Sequence, residues 1–334
     1  MNESTHFERL IRECINLADE RLGAAVQFAT DEFFGKKDRL LRPEDPEFRP
    51  GVYDDNGKWM DGWETRRRRD GGHDYCVIRL AGPGVISLIE IDTRFFTGNY
   101  PPCASVQACR TSRTPDDRTR WSELIAPTPL AGDHRYYLDV PSADVWTHLK
   151  LNVYPDGGIA RFRAYGRLNV DWSQAPATEL RDLAAALMGG MALACSDEHY
   201  GSMSNLLLPG RATSMAQGWE TRRRRAPGSD WVLLRLGHAG RIERVEIDTA
   251  FFRGNYPAQI SIHAALVAVD VERDLVSACQ FWPLLLEPQS LQADRVHVFE
   301  DQLHELGAVS HVRVNIHPDG GLSRIRLLGR PELP

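Results

Sequence analysis

One eight-residue string occurs twice in this chain without a change. Gly62-Trp63-Glu64-Thr65-Arg66-Arg67-Arg68-Arg69 returns as Gly218-Trp219-Glu220-Thr221-Arg222-Arg223-Arg224-Arg225. A verbatim octapeptide repeated at close to half the chain length constrains the fold more than composition does. The chain reads as two copies of one unit, each of which must bury its own apolar face. The length of 334 residues agrees, at about 150 residues per domain.

Other blocks repeat with the octapeptide. Asp31-Glu32 is echoed by Asp197-Glu198, and Ile91-Asp92-Thr93 by Ile247-Asp248-Thr249. Gly98-Asn99-Tyr100-Pro101 is echoed by Gly254-Asn255-Tyr256-Pro257, and Pro155-Asp156-Gly157-Gly158 by Pro318-Asp319-Gly320-Gly321. The last of these blocks is offset by about seven residues more than the octapeptide, so the second copy carries that many extra residues between its middle and its end. The expected domains are residues 1–170 and 180–334, joined by a linker at 171–179.

Within each copy, short apolar runs alternate with Gly/Pro turns. Residues 6–22 place Phe7, Leu10, Ile11, Cys14, Leu17, Ala18 and Leu22 at spacings of three and four, which predicts a helix ended near Gly23. A related helix is expected over 178–188, stopped by Gly189-Gly190. Residues 41–61, rich in Pro, Gly and Asp, read as a surface loop. Residues 75–80 and 85–93 read as two strands around the turn Ala81-Gly82-Pro83-Gly84, and 104–110 as a further strand. In Thr147–Tyr154, Leu149, Leu151 and Val153 share one face, and His148, Lys150, Asn152 and Tyr154 the other. Pro155-Asp156-Gly157-Gly158 then supplies a hairpin turn into a return strand from Ile159 to Tyr165. The second copy pairs His311 with Asn315 in the same way. One short helix followed by many short strands predicts an all-β chain, a tandem duplication of a jelly-roll β-sandwich domain with short helices.

Several classes of function are disfavoured. A net charge of −6 gives no general drive toward nucleic acid or an anionic membrane. The arginine run sits inside a patterned domain without interleaved stacking aromatics, so nucleic acid is not expected as a partner. No apolar run approaches the ~20 residues of a spanning helix, so no membrane is expected. The N-terminus lacks a basic region followed by an apolar one, and the six cysteines show no Cys-x-x-Cys spacing. A cytoplasmic protein with reduced thiols is the expectation. Nucleotide loops, the Gly-x-Ser-x-Gly elbow, His-Glu-x-x-His and the EF-hand loop are all missing. No cofactor is called for with certainty. Asp and His are numerous enough to leave a divalent metal ion open, with no ligands assigned.

If residues 63–69 are extended, Arg66 and Arg68 share a face, and Glu64 lies on it. The arginines then either bind an anionic ligand or pair internally. His73-Asp74 follows the first octapeptide, whereas Ser229-Asp230 follows the second. A His beside a carboxylate suits proton transfer, or is only a surface residue in a Gly-rich turn. Asn99 and Asn255 either cap turns or bond an amide-rich ligand.

Taken together, several stretches resemble the allantoicase (allantoate amidinohydrolase) family. They are Asp31–Phe34, Lys58–Arg67, Gly72-His73-Asp74-Tyr75, Ile91-Asp92-Thr93, Phe96–Pro101 and Trp146–Gly158. The resemblance spans about residues 15–330 and departs from the family at Tyr75 (usually Trp) and at Ser229 (usually His). It implies tandem galactose-binding-like jelly rolls and hydrolysis of allantoate to ureidoglycolate and urea in purine (allantoin) catabolism, and a homo-oligomer is a reasonable expectation. Such a site needs a cation for the carboxylate, with Arg66, Arg68 and Arg161 as candidates. It needs paired donors and acceptors for the ureido groups, for which Asn99 and Asn152 are candidates, with Glu220, Asn255 and Asn315 in the second copy. Proton transfer falls to Glu64, His73 and Asp92. The rival is a non-catalytic tandem jelly roll that binds a small ligand or carbohydrate, since fold does not fix function.

Overall fold

The computed structural model describes residues 3–174, 179–268 and 274–332. The chain divides into two compact units, Met1–Asn169 and Val170–Pro334. Of the expected linker 171–179, residues 175–178 lie outside the described residues. All six cysteines are free thiols.

The first unit is built on one strand of 19 residues, Asp74–Asp92. Its first half pairs with Ala25–Ala29 on one side and Val145–Tyr154 on the other. Beyond the latter lie Cys103–Cys109 and then Ser122–Pro129. Its second half pairs with Arg135–Asp139 and with Arg161–Leu168, which in turn takes Ile15–Asn16. Every pairing is antiparallel. One long strand thus belongs to two sheets that face each other across the core, a β-sandwich of jelly-roll type.

The apolar alternation of these strands explains the core. Ile78, Ile89, Ile91, Val106, Leu149, Leu151 and Phe162 all have no exposed surface and form one cluster with Trp63. Burying each such side chain contributes about 1.5–3 kcal/mol. The second unit repeats the plan around Asp230–Asp248, with Met191–Cys195, Val309–His317, Gln259–Ala265 and Leu284–Ser290 on one half. Val296–Phe299, Arg324–Pro331 and Arg181–Asp182 continue the other half.

Four local expectations change. Gly82-Pro83-Gly84 does not reverse the chain, because the strand runs through it. The ladder with Val145–Tyr154 skips from Arg79 to Gly84, so the proline, which has no N–H to give, sits where none is required. Nor is the Pro155–Gly158 link a hairpin turn. The strands on either side of it pair with different halves of the long strand, so the link carries the chain from one sheet to the other.

The helix expected over 6–22 ends at Glu13. Asn16 Oδ1 accepts from the amides of Ala18 (3.1 Å) and Ala164 (3.0 Å), and Asp19 caps a 3₁₀ turn, Glu20–Leu22, that closes on Gly23 at φ 93°. Such side-chain bonds compete with helix, and the three–four spacing comes from a strand and a turn burying Leu17, Ala18 and Leu22. The helix expected over 178–188 is likewise a two-residue strand, Arg181–Asp182, and a 3₁₀ turn, Ala186–Met188. Asp182 plays the part of Asn16, accepting from Ala184 and Leu327.

Candidate functional site

The octapeptide is strand only at Trp63–Glu64, so its arginines lie beyond the ladder rather than along it. Trp63 is fully buried and donates its indole N–H to the Asp31 carbonyl at 2.7 Å. Glu64 pairs with Gly158 on one side and Gly35 on the other, with both backbone bonds to Gly35 at 3.1 Å. A Cβ at Gly35 would stand 2.4 Å from the Gly62 carbonyl, so only glycine allows this approach. Thr65 exchanges bonds with Gly157. Glu64 is therefore fixed by backbone on both flanks.

The Glu64 side chain is largely buried, and the Asn99 amide donates to its Oε1 at 2.5 Å. Burial pushes its carboxyl above the usual carboxylate range. The Asn99 bond and the charge of Lys58 pull the other way, and Asp54 adds to the rise. Asn99 is held in turn by its carbonyl, which accepts from the Gly158 amide at 2.7 Å. Lys58 and Asp54 come from a small hairpin, Tyr53–Asp54 with Gly57–Lys58.

The three arginines expected to bind a carboxylate are engaged within the unit. Arg66 gives its backbone amide (2.6 Å) and guanidinium (2.8 Å) to Asp31. Burial works to raise the Asp31 carboxyl, but these Arg66 bonds hold it below its ordinary value. Arg68 gives its amide to Asp156 and its guanidinium to Asp74 and Asp70, each at 2.7 Å. The Arg68 hydrogen bond lowers the Asp70 carboxyl to about 2. Arg161 is 1% exposed and donates to Asp61 Oδ2 at 2.6 Å and to the carbonyls of Glu44, Asp61 and Ala160. All three guanidinium groups are thus paired within the unit.

His73 and Asn152 are brought together. His73 Nε2 lies 3.2 Å from Asn152 Oδ1, and its ring centroid lies 4.6 Å from that of Tyr154. Asn152 Nδ2 donates to Ser105 Oγ at 3.2 Å. Asp92 stands apart: it has no exposed surface, and Arg94 grips it at 2.9 and 2.7 Å. Among the described residues no hydrogen bond or ion pair links Glu64, His73 and Asp92 to one another. Nor does any group of three or more His, Cys, Asp or Glu side chains converge among them in a way that could hold a metal ion.

The second unit repeats the frame. Asn255 donates to Glu220 in a short contact, Arg222 meets Asp197 at 2.8 Å, and Arg224 meets Asp319 and Asp230 at 2.7 and 2.9 Å. It differs around that frame. Asn315 bonds Arg313 (2.8 Å) and Ser261 (3.4 Å), with Ser229 in the place of His73. Counted back from the octapeptide, Ser214-Met215 replace Lys58-Trp59, and Met215 Sδ lies 3.5 Å from Asn255 Nδ2. Sequence reasoning missed Asp31 and Asp74 as the acids that fix the arginines, and took Asp156 only for a turn former. Their signal was present, since each recurs in the second copy. It also missed Lys58.

The allantoicase repeat profile matches residues 15–169 and again 181–332. The chain belongs to the allantoicase family. It is 54% identical over 319 residues to "Probable allantoicase 2" of Burkholderia pseudomallei, covering 95% of each chain. It is 53% identical to "Probable allantoicase" of Pseudomonas aeruginosa, covering 97% of this chain and 98% of that one. The crystal structure of allantoicase from Saccharomyces cerevisiae superposes with a TM-score of 0.80 at 35% identity, covering 95% of this chain and 93% of that one. Family and architecture agree: the protein is a hydrolase built from two tandem jelly rolls. Among the described residues no helix is long and apolar enough to cross a membrane.

Proposed function

We propose that this chain hydrolyses allantoate to ureidoglycolate and urea, with the Glu64–Asn99 pair of the first repeat as the reacting centre. The observation that carries the reading is a buried carboxyl of raised proton affinity held by a side-chain amide. A carboxyl whose protonated form is favoured by burial suits a general acid for a nitrogen leaving group.

Allantoate bears a carboxylate and two ureido groups on one carbon. Protonated Glu64 gives its proton to the nitrogen of the departing ureido group, and the carbon–nitrogen bond breaks to release urea. The remaining ureido nitrogen loses its N–H proton as it forms a double bond to that carbon, leaving an N-carbamoyl imine. Water then adds to the imine carbon, its proton passing to the imine nitrogen, and ureidoglycolate results. Asn99 orients one ureido group while holding Glu64. His73 and Asn152 form the second polar pair, suited to the other ureido group and to receiving the N–H proton.

The remaining candidates take other roles in this reading. Asp92, Arg66, Arg68 and Arg161 hold the scaffold, because Asp92 is spent on Arg94 and the three arginines on neighbouring acids. Glu220, Asn255 and Asn315 form a second ureide-binding position without a partner for His73. The two repeats occupy 1–170 and 180–334, and the protein acts in the cytoplasm as a symmetric homo-oligomer; sizing by light scattering tests the last point.

Urea and ureidoglycolate released from allantoate by the purified chain test the reaction. Wild type is expected to release both in equal amounts, and Glu64→Gln to turn over about 10²–10⁴-fold more slowly while staying folded. Calorimetric binding of allantoate without urea release would favour the non-catalytic rival. Undiminished turnover by Glu64→Gln would remove Glu64 from the role.

A further inference from the structure

We propose that Lys58 is the cation that receives the substrate's carboxylate, and that it makes the first repeat the one that recognises a carboxylated ureide. The proposal rests on the reaction given above and adds the group that anchors its anionic substrate.

A carboxylate entering a largely buried site needs a cation that is not already spent. Arg66, Arg68 and Arg161 are spent, on Asp31, on Asp70 and Asp74, and on Asp61. Lys58 differs from them. Its side chain is exposed, and among the described residues the lysine ion pairs are those of Lys37, none being made by Lys58. Its ammonium rests 4.7 Å from the centre of the Phe48 ring. A contact with a ring face steadies an ammonium group while leaving its N–H donors free for an anion.

The hairpin that carries Lys58 is fastened to the segment that frames Glu64. Asn56 Nδ2 donates to the Phe33 carbonyl at 2.9 Å, and Gly57 faces the Phe34 ring. The next residue, Gly35, is the one that pairs with Glu64. At the base of the hairpin, Trp59 bonds the Val52 carbonyl through its amide, with the guanidinium groups of Arg39 and Arg49 at 5.4 and 4.9 Å from its ring.

The internal duplication supplies the contrast. The second repeat keeps the Glu–Asn pair but has Ser214 where the first has Lys58. Met215 stands against Asn255 there, so that end offers a thioether and a hydroxyl in place of an ammonium. A second-repeat site would accept a neutral ureide and has no equivalent group for a carboxylate. The loss of His73 and the loss of Lys58 are separate changes in the sequence, and both leave the first repeat as the site for allantoate.

The test is steady-state kinetics of wild type, Lys58→Met and Lys58→Arg on allantoate. Inhibition by methylenediurea, which has hydrogen in place of the carboxylate, is measured alongside. Losing one charge-assisted contact in Lys58→Met should raise KM roughly 10- to 100-fold with kcat changed far less. Lys58→Arg should recover most of the affinity, and Ki for methylenediurea should stay within about twofold in both variants. Equal weakening of allantoate and methylenediurea would reduce Lys58 to a structural role and overturn the proposal. An unchanged KM in Lys58→Met would do the same while leaving the reaction standing. Absence of urea release by wild type would overturn the reaction itself, and this proposal with it.

Discussion

Asn99 donates to Glu64 in the first repeat, and Asn255 donates to Glu220 in the second. In both, the acid is the second residue of a two-residue strand whose flanks are glycine backbone, Gly35 and Gly158 or Gly201 and Gly321. Here the glycines let three chain segments meet so closely that the acid has one place to be. The duplication has therefore preserved a positioned carboxyl–amide pair, while the groups facing it have diverged.

The raised proton affinity of Glu64 has a consequence for stability. Its folded value lies above its unfolded one, so between the two the native state binds more protons. The stabilising contribution is complete below the unfolded value of about 4.3 and is lost as pH rises through the folded value. Glu64→Gln removes that titration. Its stability should gain on that of wild type as pH rises from about 4.3 through the folded value. Denaturant unfolding of both proteins across this range checks the sign, and a difference that stays flat or runs the other way contradicts the burial argument. In turnover, the alkaline limb of the wild-type pH profile should be set by the same carboxyl, since only its protonated form gives the proton.

Arg161 bears on the choice between scaffold and ligand. It is 1% exposed and bonded to the buried Asp61 at 2.6 Å. Arg161→Met leaves the buried Asp61 with only the Glu47 amide at 3.1 Å and the partly exposed Arg42 at 3.4 Å as partners, and should cost up to about 3–5 kcal/mol. Adding Asp61→Asn should restore part of that loss, giving a coupling energy in a double-mutant cycle. A folded Arg161→Met with unchanged stability and a raised KM would return Arg161 to the carboxylate site.

Much of the fold was legible in the sequence. Strand faces followed from alternation: Leu149, Leu151 and Val153 are fully buried, as their spacing requires. Connectivity was harder. Alternation does not record whether a Gly-Pro-Gly run reverses a strand or lets it pass from one sheet to another. That depends on which partner strands stop short of it, a long-range fact. The false helix over 6–22 had a local cause, since Leu17, Ala18 and Leu22 keep helical spacing while Asn16 and Asp19 take up the backbone donors. At the site, residue types and repetition pointed to Glu64 and Asn99. Arg66 and Arg161 misled because their partners, Asp31 and Asp61, lie in other segments of the sequence, whereas the partners of Arg68, Asp70 and Asp74, stand beside it and show their role only once the chain turns back on itself. Lys58 was overlooked because only one copy has it.

His73 and Asn152 should behave as a unit. Asn152 Oδ1 is 3.2 Å from His73 Nε2, so either substitution takes away the hydrogen bond that ties the two side chains together. His73→Ala should lower kcat by about 10²–10⁴-fold if His73 takes the proton. The double variant with Asn152→Ala should be little slower than His73→Ala alone, as expected for groups acting together. Fully additive losses would mean that the two side chains serve different steps.

The duplicated frame allows a control that few enzymes offer. A methyl group at Gly35 would fall 2.4 Å from the Gly62 carbonyl and 2.8 Å from the Glu64 amide. At Gly201 it would fall 2.2 Å from the Gly218 carbonyl and 3.2 Å from the Glu220 amide. Neither clash can be relieved by a side-chain rotation, because the atoms struck are backbone. Gly35→Ala and Gly201→Ala should each force their strand away from the acid and destabilise their own repeat by about 1–3 kcal/mol. Their effects on catalysis should diverge. A displacement of about 1 Å at a reacting carboxyl can cost about 10²-fold in rate, so Gly35→Ala should lose most of its turnover at a temperature where it remains folded. Gly201→Ala, measured well below its unfolding midpoint, should retain turnover within about threefold, since the acid it displaces lacks partners equivalent to His73 and Lys58. Equal loss of activity in the two variants would place a reacting carboxyl in each repeat.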